Sequence, residues 1–139
     1  MRSGGSIEVK VLFDTNFLMA VFEKPVNAIE KVEELLEIKV RPVILKSQLR
    51  ELERIASSNK RQKAARIARA VLEYVKKRGF EVVEYEKEAV DDAIVEASKR
   101  EGYIVATNDR ELRRRLRESC VSVVYMKGDG KFELEGYQP

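Results

Sequence analysis

The sequence contains no histidine, and its 139 residues include a single cysteine, Cys120. A chain without histidine cannot use a Ser–His–Asp triad, a histidine general base or a histidine-rich zinc site. One cysteine cannot form an intrachain disulfide, which favours a cytoplasmic setting. No apolar run approaches the roughly 20 residues that span a bilayer, so no membrane association is expected. Hydrolytic chemistry would have to depend on carboxylates, with a metal ion supplying the nucleophile.

Charged residues are abundant, at 37% of the chain, but the 27 Lys and Arg nearly balance the 24 Asp and Glu, for a net charge of +3. So mild a charge does not by itself indicate a nucleic-acid partner. Aromatic residues make up only 7%, which predicts little base stacking. The length suits one compact domain with a continuous core. We expect residues 1–7 to form a flexible lead-in and residues 8–139 to form that domain.

Short β-branched runs alternate with longer segments of helical periodicity. Strands are predicted at 9–13, 40–45, 80–84, 103–107 and 121–126, with a short antiparallel addition at 131–134. Helices are predicted at 15–23, 28–36, 48–57, 60–78, 88–101 and 109–118. Ser47 is the predicted N-cap of the third helix, and Gly79 the left-handed end of the fourth. This alternation predicts a three-layer α/β/α fold with a central, mainly parallel sheet of about five strands.

Four acidic residues occupy related positions around the predicted strands. Asp14 directly follows the first strand, and Asp109 lies shortly after the fourth. Glu51 lies one turn into the helix after the second strand, and Asp92 lies in the first turn of the helix that leads into the fourth. Ligand sites in open parallel sheets form beyond the carboxyl ends of the strands, near a change in strand order. We therefore expect these four side chains to lie close together.

Each acid also has a simpler interpretation. Asp14 and Asp109 could be helix N-caps. Asp92 and its neighbour Asp91 could interact with a helix dipole, and Glu51 could be an ordinary surface residue. The joint pattern favours a metal site, because carboxylates that crowd together repel one another and are costly to bury without cations. Mg²⁺ and Mn²⁺ prefer oxygen ligands and keep waters, one of which can attack a phosphodiester.

Two parts of the chain resemble a known family. Residues 11–16, with the sequence VLFDTN, resemble the strand-plus-acid opening of PIN domains. The runs DDAI at 91–94 and GYIVATNDREL at 102–112 are similar to the second half of that family. With the strand at 121–125 and the FELE ending at 132–135, they are most similar to the archaeal and eukaryotic branch that includes ribosome-biogenesis endonucleases. The toxins of toxin–antitoxin pairs share the same core.

The resemblance implies a PIN fold and cleavage of single-stranded RNA with Mg²⁺ or Mn²⁺, either in rRNA processing or as a toxin. By position, it implies metal ligation by Asp14, Asp92 and Asp109. It also implies a catalytic role for Glu51, with Glu53 as an alternative. Supporting roles in orienting ligands or waters are implied for Thr15, Asn16, Asp91 and Asn108. Single-stranded RNA, an antitoxin or pre-ribosomal protein, and a second copy of the chain are the implied partners.

Two groups of basic residues are candidate RNA contacts. One helical face beginning next to the last acid carries Arg110, Arg113, Arg114 and Arg117. Lys60 and Arg61 lie at the start of the long predicted helix. Either group could be an ordinary solvated surface, but arginines beside a carboxylate site are well suited to pair with phosphates.

Two other functions are compatible with parts of the sequence. A phosphoacceptor receiver domain would use Asp14, Thr107 and Lys127, but neither middle strand ends in the aspartate that such a domain needs. The second alternative is a catalytically silent PIN scaffold that binds RNA or takes part in assembly. The intact acidic set argues against it.

Overall fold

A sheet with helices on both sides forms the centre of the computed structural model, which describes residues 7–23, 27–58 and 62–136. The strands are β1 (Glu8–Phe13), β2 (Lys39–Leu45), β3 (Glu81–Val83), β4 (Ile104–Ala106), β5 (Val123–Met126) and β6 (Phe132–Glu135). The helices are α1 (Thr15–Phe22), α2 (Ala28–Leu36), α3 (Lys46–Ser58), α4 (Lys63–Lys77), α5 (Val90–Glu101) and α6 (Arg110–Glu118). Most of the predicted lead-in lies outside the described residues, as do Lys60 and Arg61.

The strand order is β3-β2-β1-β4-β5-β6. The first five strands are parallel to their neighbours, and β6 pairs antiparallel with β5. The predicted three-layer α/β/α architecture is confirmed, and the predicted antiparallel addition is β6, the sixth strand. The chain moves outward from β1 to β3 and then returns to β4 on the other side of β1. The carboxyl ends of β1 and β4 therefore meet at the change in strand order, where such folds bind ligands.

The carboxyl half of β1 is buried on both faces, and its successive residues contribute to two separate cores. Val11 and Phe13 of β1 belong to the core that packs against α1, α2, α3 and α4. Leu12, between them, belongs to the core that packs against α5 and α6. Phe13 also contacts the Phe17 and Phe80 rings, at centroid distances of 6.1 and 5.7 Å. The carboxyl end of β1 is thus held firmly from both sides.

The C-terminal ends of α4 and α5 follow the sequence predictions, whereas α3 begins two residues earlier and α5 two residues later than predicted. Gly79 and Gly102 have φ values of 66° and 77°, the left-handed conformation typical of helix C-termini. The prediction of Ser47 as an N-cap is wrong, because α3 begins at Lys46 without a break after β2. The Ser47 hydroxyl is buried and has no hydrogen-bond partner. No helix in the described part of the chain combines the length and hydrophobicity needed to cross a membrane.

Candidate active site

Asp14 occupies the junction between β1 and α1. Its backbone N–H donates to the Ala106 carbonyl at 2.9 Å, which extends the pairing of β1 with β4. Its side chain makes no capping hydrogen bond to α1, although the residue stands at the N-cap position. The residue is only 6% exposed, and its Oδ2 accepts a hydrogen bond from the Thr107 hydroxyl at 2.8 Å. Helix capping therefore does not account for this buried carboxylate.

Burial raises the pKa of Asp14 from 3.8 to about 6, although the hydrogen bond from Thr107 lowers it. The negative charges of Asp91 and Asp109 raise this pKa further. The amide of Asn16 lowers the pKa, but its geometry does not reach that of a capping hydrogen bond. A carboxyl group whose pKa is raised by burial and by like charges, at a ligand-binding edge of a sheet, is a candidate functional group.

Thr107 connects Asp14 to Asp109. Its buried hydroxyl donates to Asp14 and accepts the backbone N–H of Asp109 at 3.1 Å. Asp109 is the N-cap of α6, and its Oδ1 accepts from the Leu112 amide at 2.9 Å. The capping interpretation of Asp109 is therefore correct, but capping uses one of two carboxylate oxygens and leaves the other able to accept a ligand.

The two adjacent acids of α5 have different surroundings. Asp92 Oδ1 accepts a hydrogen bond from Arg115 Nη2 at 2.7 Å. Asp91 has a raised pKa, caused first by partial burial and then by the charge of Asp109, while the Arg115 charge lowers it. Asp91, rather than Asp92, is the α5 acid whose charge acts on Asp14. The structure thus brings Asp14, Asp91 and Asp109 into electrostatic contact and directs Asp92 towards α6.

The side chain that α3 contributes to this region is Gln48. It is fully buried, its Nε2 donates to the Phe13 carbonyl at 2.9 Å, and its Oε1 accepts from the Leu45 amide at 2.8 Å. These bonds tie the ends of β1 and β2 together beside Asp14. Sequence reasoning missed this residue, although it precedes the buried Leu52 by four residues on the inward helix face.

The two glutamates of α3 that were predicted as site residues make few contacts. Glu51 is partly buried and Glu53 is exposed. Neither carboxylate forms an ion pair or a side-chain hydrogen bond within the described part of the chain. Their side chains thus have no contact that links them to Asp14 or Asp109.

Two of the predicted supporting residues make hydrogen bonds that hold nearby backbone segments in place. Thr15 is buried, and its hydroxyl lies 3.4 Å from Gln48 Nε2. Asn108 Oδ1 accepts from the Met126 amide at 2.7 Å, which holds the loop between β4 and α6 against β5. Asn16 is exposed at the start of α1. Thr15 and Asn108 therefore stabilise the two junctions that carry Asp14 and Asp109.

Two arginines of the predicted RNA-binding face pack against the end of the sheet. The Arg113 guanidinium lies 4.1 Å from the centroid of the Tyr125 ring and 3.5 Å from a carboxylate oxygen of Glu135. Arg117 Nη1 donates to the Val121 carbonyl at 3.0 Å. These guanidinium groups already have protein partners, and the Arg113 contacts hold α6 against β5 and β6.

The other two arginines of that face differ from each other. Arg114 forms ion pairs with Glu111 and Glu118 on its own helix. Arg110 is exposed and forms no hydrogen bond or ion pair within the described residues. Arg110 directly follows Asp109, so it is the α6 guanidinium that can meet a phosphate next to the acids.

The four acids predicted to lie close together do not form a single cluster of metal ligands. Among residues 7–23, 27–58 and 62–136, no three His, Cys, Asp or Glu side chains lie close enough together to hold a metal ion. The physical reason is that Asp92 pairs with Arg115 and that Glu51 has no contact that links it to Asp14 or Asp109. The oxygen-only donor set still fits Mg²⁺, which proteins commonly hold with one or two carboxylates and several waters.

Comparisons with known proteins agree with the fold. The sequence matches the family model described as "PIN like domain" over residues 11–129. It is 34% identical to Ribonuclease VapC4 of Methanocaldococcus jannaschii, over 91% of this chain and 97% of that protein. It is 38% identical to Ribonuclease VapC9 of Archaeoglobus fulgidus, over 88% of this chain and 86% of that protein.

Solved structures show the same architecture. The PIN domain endonuclease Utp24 superimposes with a TM-score of 0.73 at 26% identity, covering 92% of each chain. A chain from the VapBC2 complex of Rickettsia felis, bound to a promoter DNA fragment, gives a TM-score of 0.62 at 14% identity, covering 86% of this chain and all of that one. The second likeness concerns the fold alone. The predicted resemblance is confirmed, and the chain belongs to the PIN-like domain family.

Proposed function

We propose that this protein is an endoribonuclease that cleaves single-stranded RNA with Mg²⁺ or Mn²⁺ bound beside Asp14. The observation that carries the proposal is the buried carboxylate of Asp14, which caps no helix and has its pKa raised to about 6. Burying a carboxylate near the charges of Asp91 and Asp109 is costly unless a cation compensates. Relatives named ribonucleases, at 34% and 38% identity, support RNA as the substrate.

In this proposal the chain's own residues hold the cation and the scissile phosphate. The Thr107 hydrogen bond holds Asp14 Oδ2, and Asp14 Oδ1 would bind the ion. The non-capping oxygen of Asp109 would be the second protein donor, and a first-turn acid of α5 would contact the ion's water shell. Glu51 lies three residues beyond Gln48 on α3, so we propose that it contacts the ion's water shell. When bound, the cation would supply an activated water and neutralise charge on the phosphodiester.

Arg110 is the proposed phosphate contact. It is exposed, follows Asp109 directly and has no protein partner among the described residues. A guanidinium pairs well with phosphate oxygens. The mild net charge of +3 agrees with a local contact of this kind rather than with a broad basic surface.

A cleavage assay on an unstructured single-stranded RNA tests this function. The parent protein should cut internally with Mg²⁺ or Mn²⁺ and should not cut in EDTA. Asp14→Asn should reduce the rate by more than about 100-fold, because even residues behind the direct ligands are worth roughly 10- to 100-fold. The matched control is Glu73→Gln, which neutralises an exposed carboxylate on α4 and should cleave at the parent rate.

Two results would contradict the proposal. Cleavage in EDTA at the parent rate would exclude a divalent cation. Binding of the RNA without cleavage, in every divalent cation, would favour the catalytically silent scaffold instead. The separation of Asp92 and Glu51 from the other acids is the observation that favours this second function.

An active enzyme could have either of two cellular roles. It could be a toxin controlled by an antitoxin, or an rRNA-processing nuclease with pre-ribosomal partners. We propose the toxin role first, because the ribonuclease relatives share more identity with this chain than the endonuclease Utp24 does. Regulated expression in a bacterial host should then stop growth, and Asp14→Asn should not. Normal growth with active enzyme present would favour the processing role.

A further inference from the structure

The side-chain amide of Gln48 contacts the chain on both sides of Asp14. Gln48 Nε2 donates to the Phe13 carbonyl at 2.9 Å and lies 3.4 Å from the Thr15 hydroxyl oxygen. Gln48 Oε1 accepts from the Leu45 amide at 2.8 Å. The whole side chain is buried. The residues immediately before and after Asp14 therefore meet the same amide group.

This amide stands where the ladder between β1 and β2 would otherwise continue. The paired register of the two strands ends one residue before Phe13. In a parallel ladder of the same register, the next hydrogen bond would run from the Leu45 amide to the Phe13 carbonyl. Instead, both of these backbone groups bond to the Gln48 amide. The side chain is thus inserted between the ends of the two strands, directly before Asp14.

Strand β4 holds Asp14 from the other side of β1. The Asp14 N–H donates to the Ala106 carbonyl at 2.9 Å, and its Oδ2 accepts from the Thr107 hydroxyl at 2.8 Å. The Asp14 side chain makes no capping bond to α1. The junction that carries this carboxylate is therefore fixed by β4 on one side and by the Gln48 amide on the other.

We propose that Gln48 is a positioning residue for Asp14, and that its amide, inserted between the ends of β1 and β2, fixes the buried orientation of the Asp14 carboxylate that cleavage requires. The inference rests on the proposed function, in which Asp14 takes part in cleavage. Gln48 acts through the Phe13 carbonyl and the Thr15 hydroxyl, and not on the RNA itself.

A positioning role and a merely structural role give different results for Gln48→Met, a change that keeps the length of the side chain. Both roles predict lower stability, because two buried backbone groups lose their partners. Only a positioning role predicts that the effect of changing Asp14 depends on Gln48, since Asp14 can then leave its buried position. The matched control is Val71→Ala, which removes buried side-chain volume from α4 in the same core.

The first measurement is a double-mutant cycle by urea unfolding of the full chain in EDTA at neutral pH. Asp14→Asn should stabilise the parent, because burial disfavours the charge that it removes. In the Gln48→Met background the same change should stabilise less, since the carboxylate is free to turn towards solvent. In the Val71→Ala background its effect should equal that in the parent. An equal effect of Asp14→Asn in the parent and in Gln48→Met would overturn the inference.

The second measurement is cleavage of single-stranded RNA with Mn²⁺, well below the unfolding temperature of each variant. Gln48→Met should lower kcat by about 10- to 100-fold, the loss that a misplacement of about 1 Å can cause, and leave KM unchanged. Val71→Ala should keep the parent kcat. If Gln48→Met does not fold, Gln48→Asn replaces it in both measurements, because its shorter amide cannot bond to both strands.

The two possible failures differ in their results. A parent-like kcat in Gln48→Met would refute the positioning role and leave the proposed function intact. Cleavage by Asp14→Asn at the parent rate would refute the proposed function, whatever the urea cycle shows.

Discussion

Replacing Asp14 with asparagine should stabilise the folded chain when no divalent cation is present, even though the same change should abolish cleavage. Burial raises the pKa of this carboxyl group to about 6. At pH 7.5 the group is therefore ionised in surroundings that disfavour the charge. Asparagine has nearly the same shape and retains an oxygen that can accept the hydrogen bond from the Thr107 hydroxyl. The substitution removes the unfavourable charge and keeps the contact.

The magnitude follows from the pKa of Asp14. A rise from 3.8 to about 6 corresponds to a destabilisation of up to about 3 kcal/mol at neutral pH. Between these two pH values the folded chain binds more protons than the unfolded chain. The stabilising effect of protonation is therefore complete below pH 3.8 and is lost as pH rises through about 6. We expect Asp14→Asn to gain about 1–3 kcal/mol over the parent at pH 7.5, and less at pH 4.

Urea unfolding in EDTA, repeated from pH 4 to pH 8, measures this difference. The control is Glu73→Gln, because that carboxylate is exposed on α4. Adding Mn²⁺ should stabilise the parent protein through binding to the folded state and should have little effect on Asp14→Asn. The reasoning is refuted if Asp14→Asn is less stable than the parent at pH 7.5, or if its advantage does not depend on pH.

Three further predictions concern the surroundings of this carboxylate. Gln48→Leu should lower the free energy of unfolding by about 2–4 kcal/mol in urea titrations, because it leaves two buried strand-end groups without partners. Thr107→Val should raise the pKa of Asp14, since it removes a hydrogen bond that lowers it, and the pH profile of cleavage should move upward. Thr107→Ser, which keeps the hydroxyl, should leave the profile unchanged. Arg110→Gln should weaken RNA binding and reduce the salt slope by about 1, whereas Arg117→Gln, whose guanidinium holds a carbonyl group, should keep the parent slope.

The fold could be predicted from sequence because its signals are local. Each buried strand is a short apolar run, and each helix shows its own periodicity, so the alternation alone indicates a parallel sheet. The position of Asp14 follows from the same pattern, because the residue comes directly after β1. Its burial and its missing capping bond could not be predicted, since both depend on contacts with β4, which lies far along the chain.

The individual roles of the acids depended on contacts that sequence spacing does not encode. Asp91 and Asp92 differ by one position, and the contact that separates them comes from Arg115, 23 residues further along. Gln48 bonds to a carbonyl 35 residues earlier in the chain. The spacing of the α6 arginines correctly placed Arg113 on one helix face, but periodicity does not say which neighbour that face meets. Here the neighbour is the edge of the sheet, where Tyr125 provides a ring.

The helices that follow the strands create a positive electrostatic potential at the rim of the sheet, that is, at the edge formed by the carboxyl ends of its parallel strands. Helix α1 begins directly after Asp14, α3 begins directly after β2, and α6 begins a few residues after β4. Their first turns therefore open towards the same rim, and each brings roughly half a unit of positive charge from its peptide dipoles. This potential belongs to the backbone, so neither proton uptake nor arginine substitution removes it. Neutralising every nearby basic side chain would leave this backbone contribution in place beside the carboxylates.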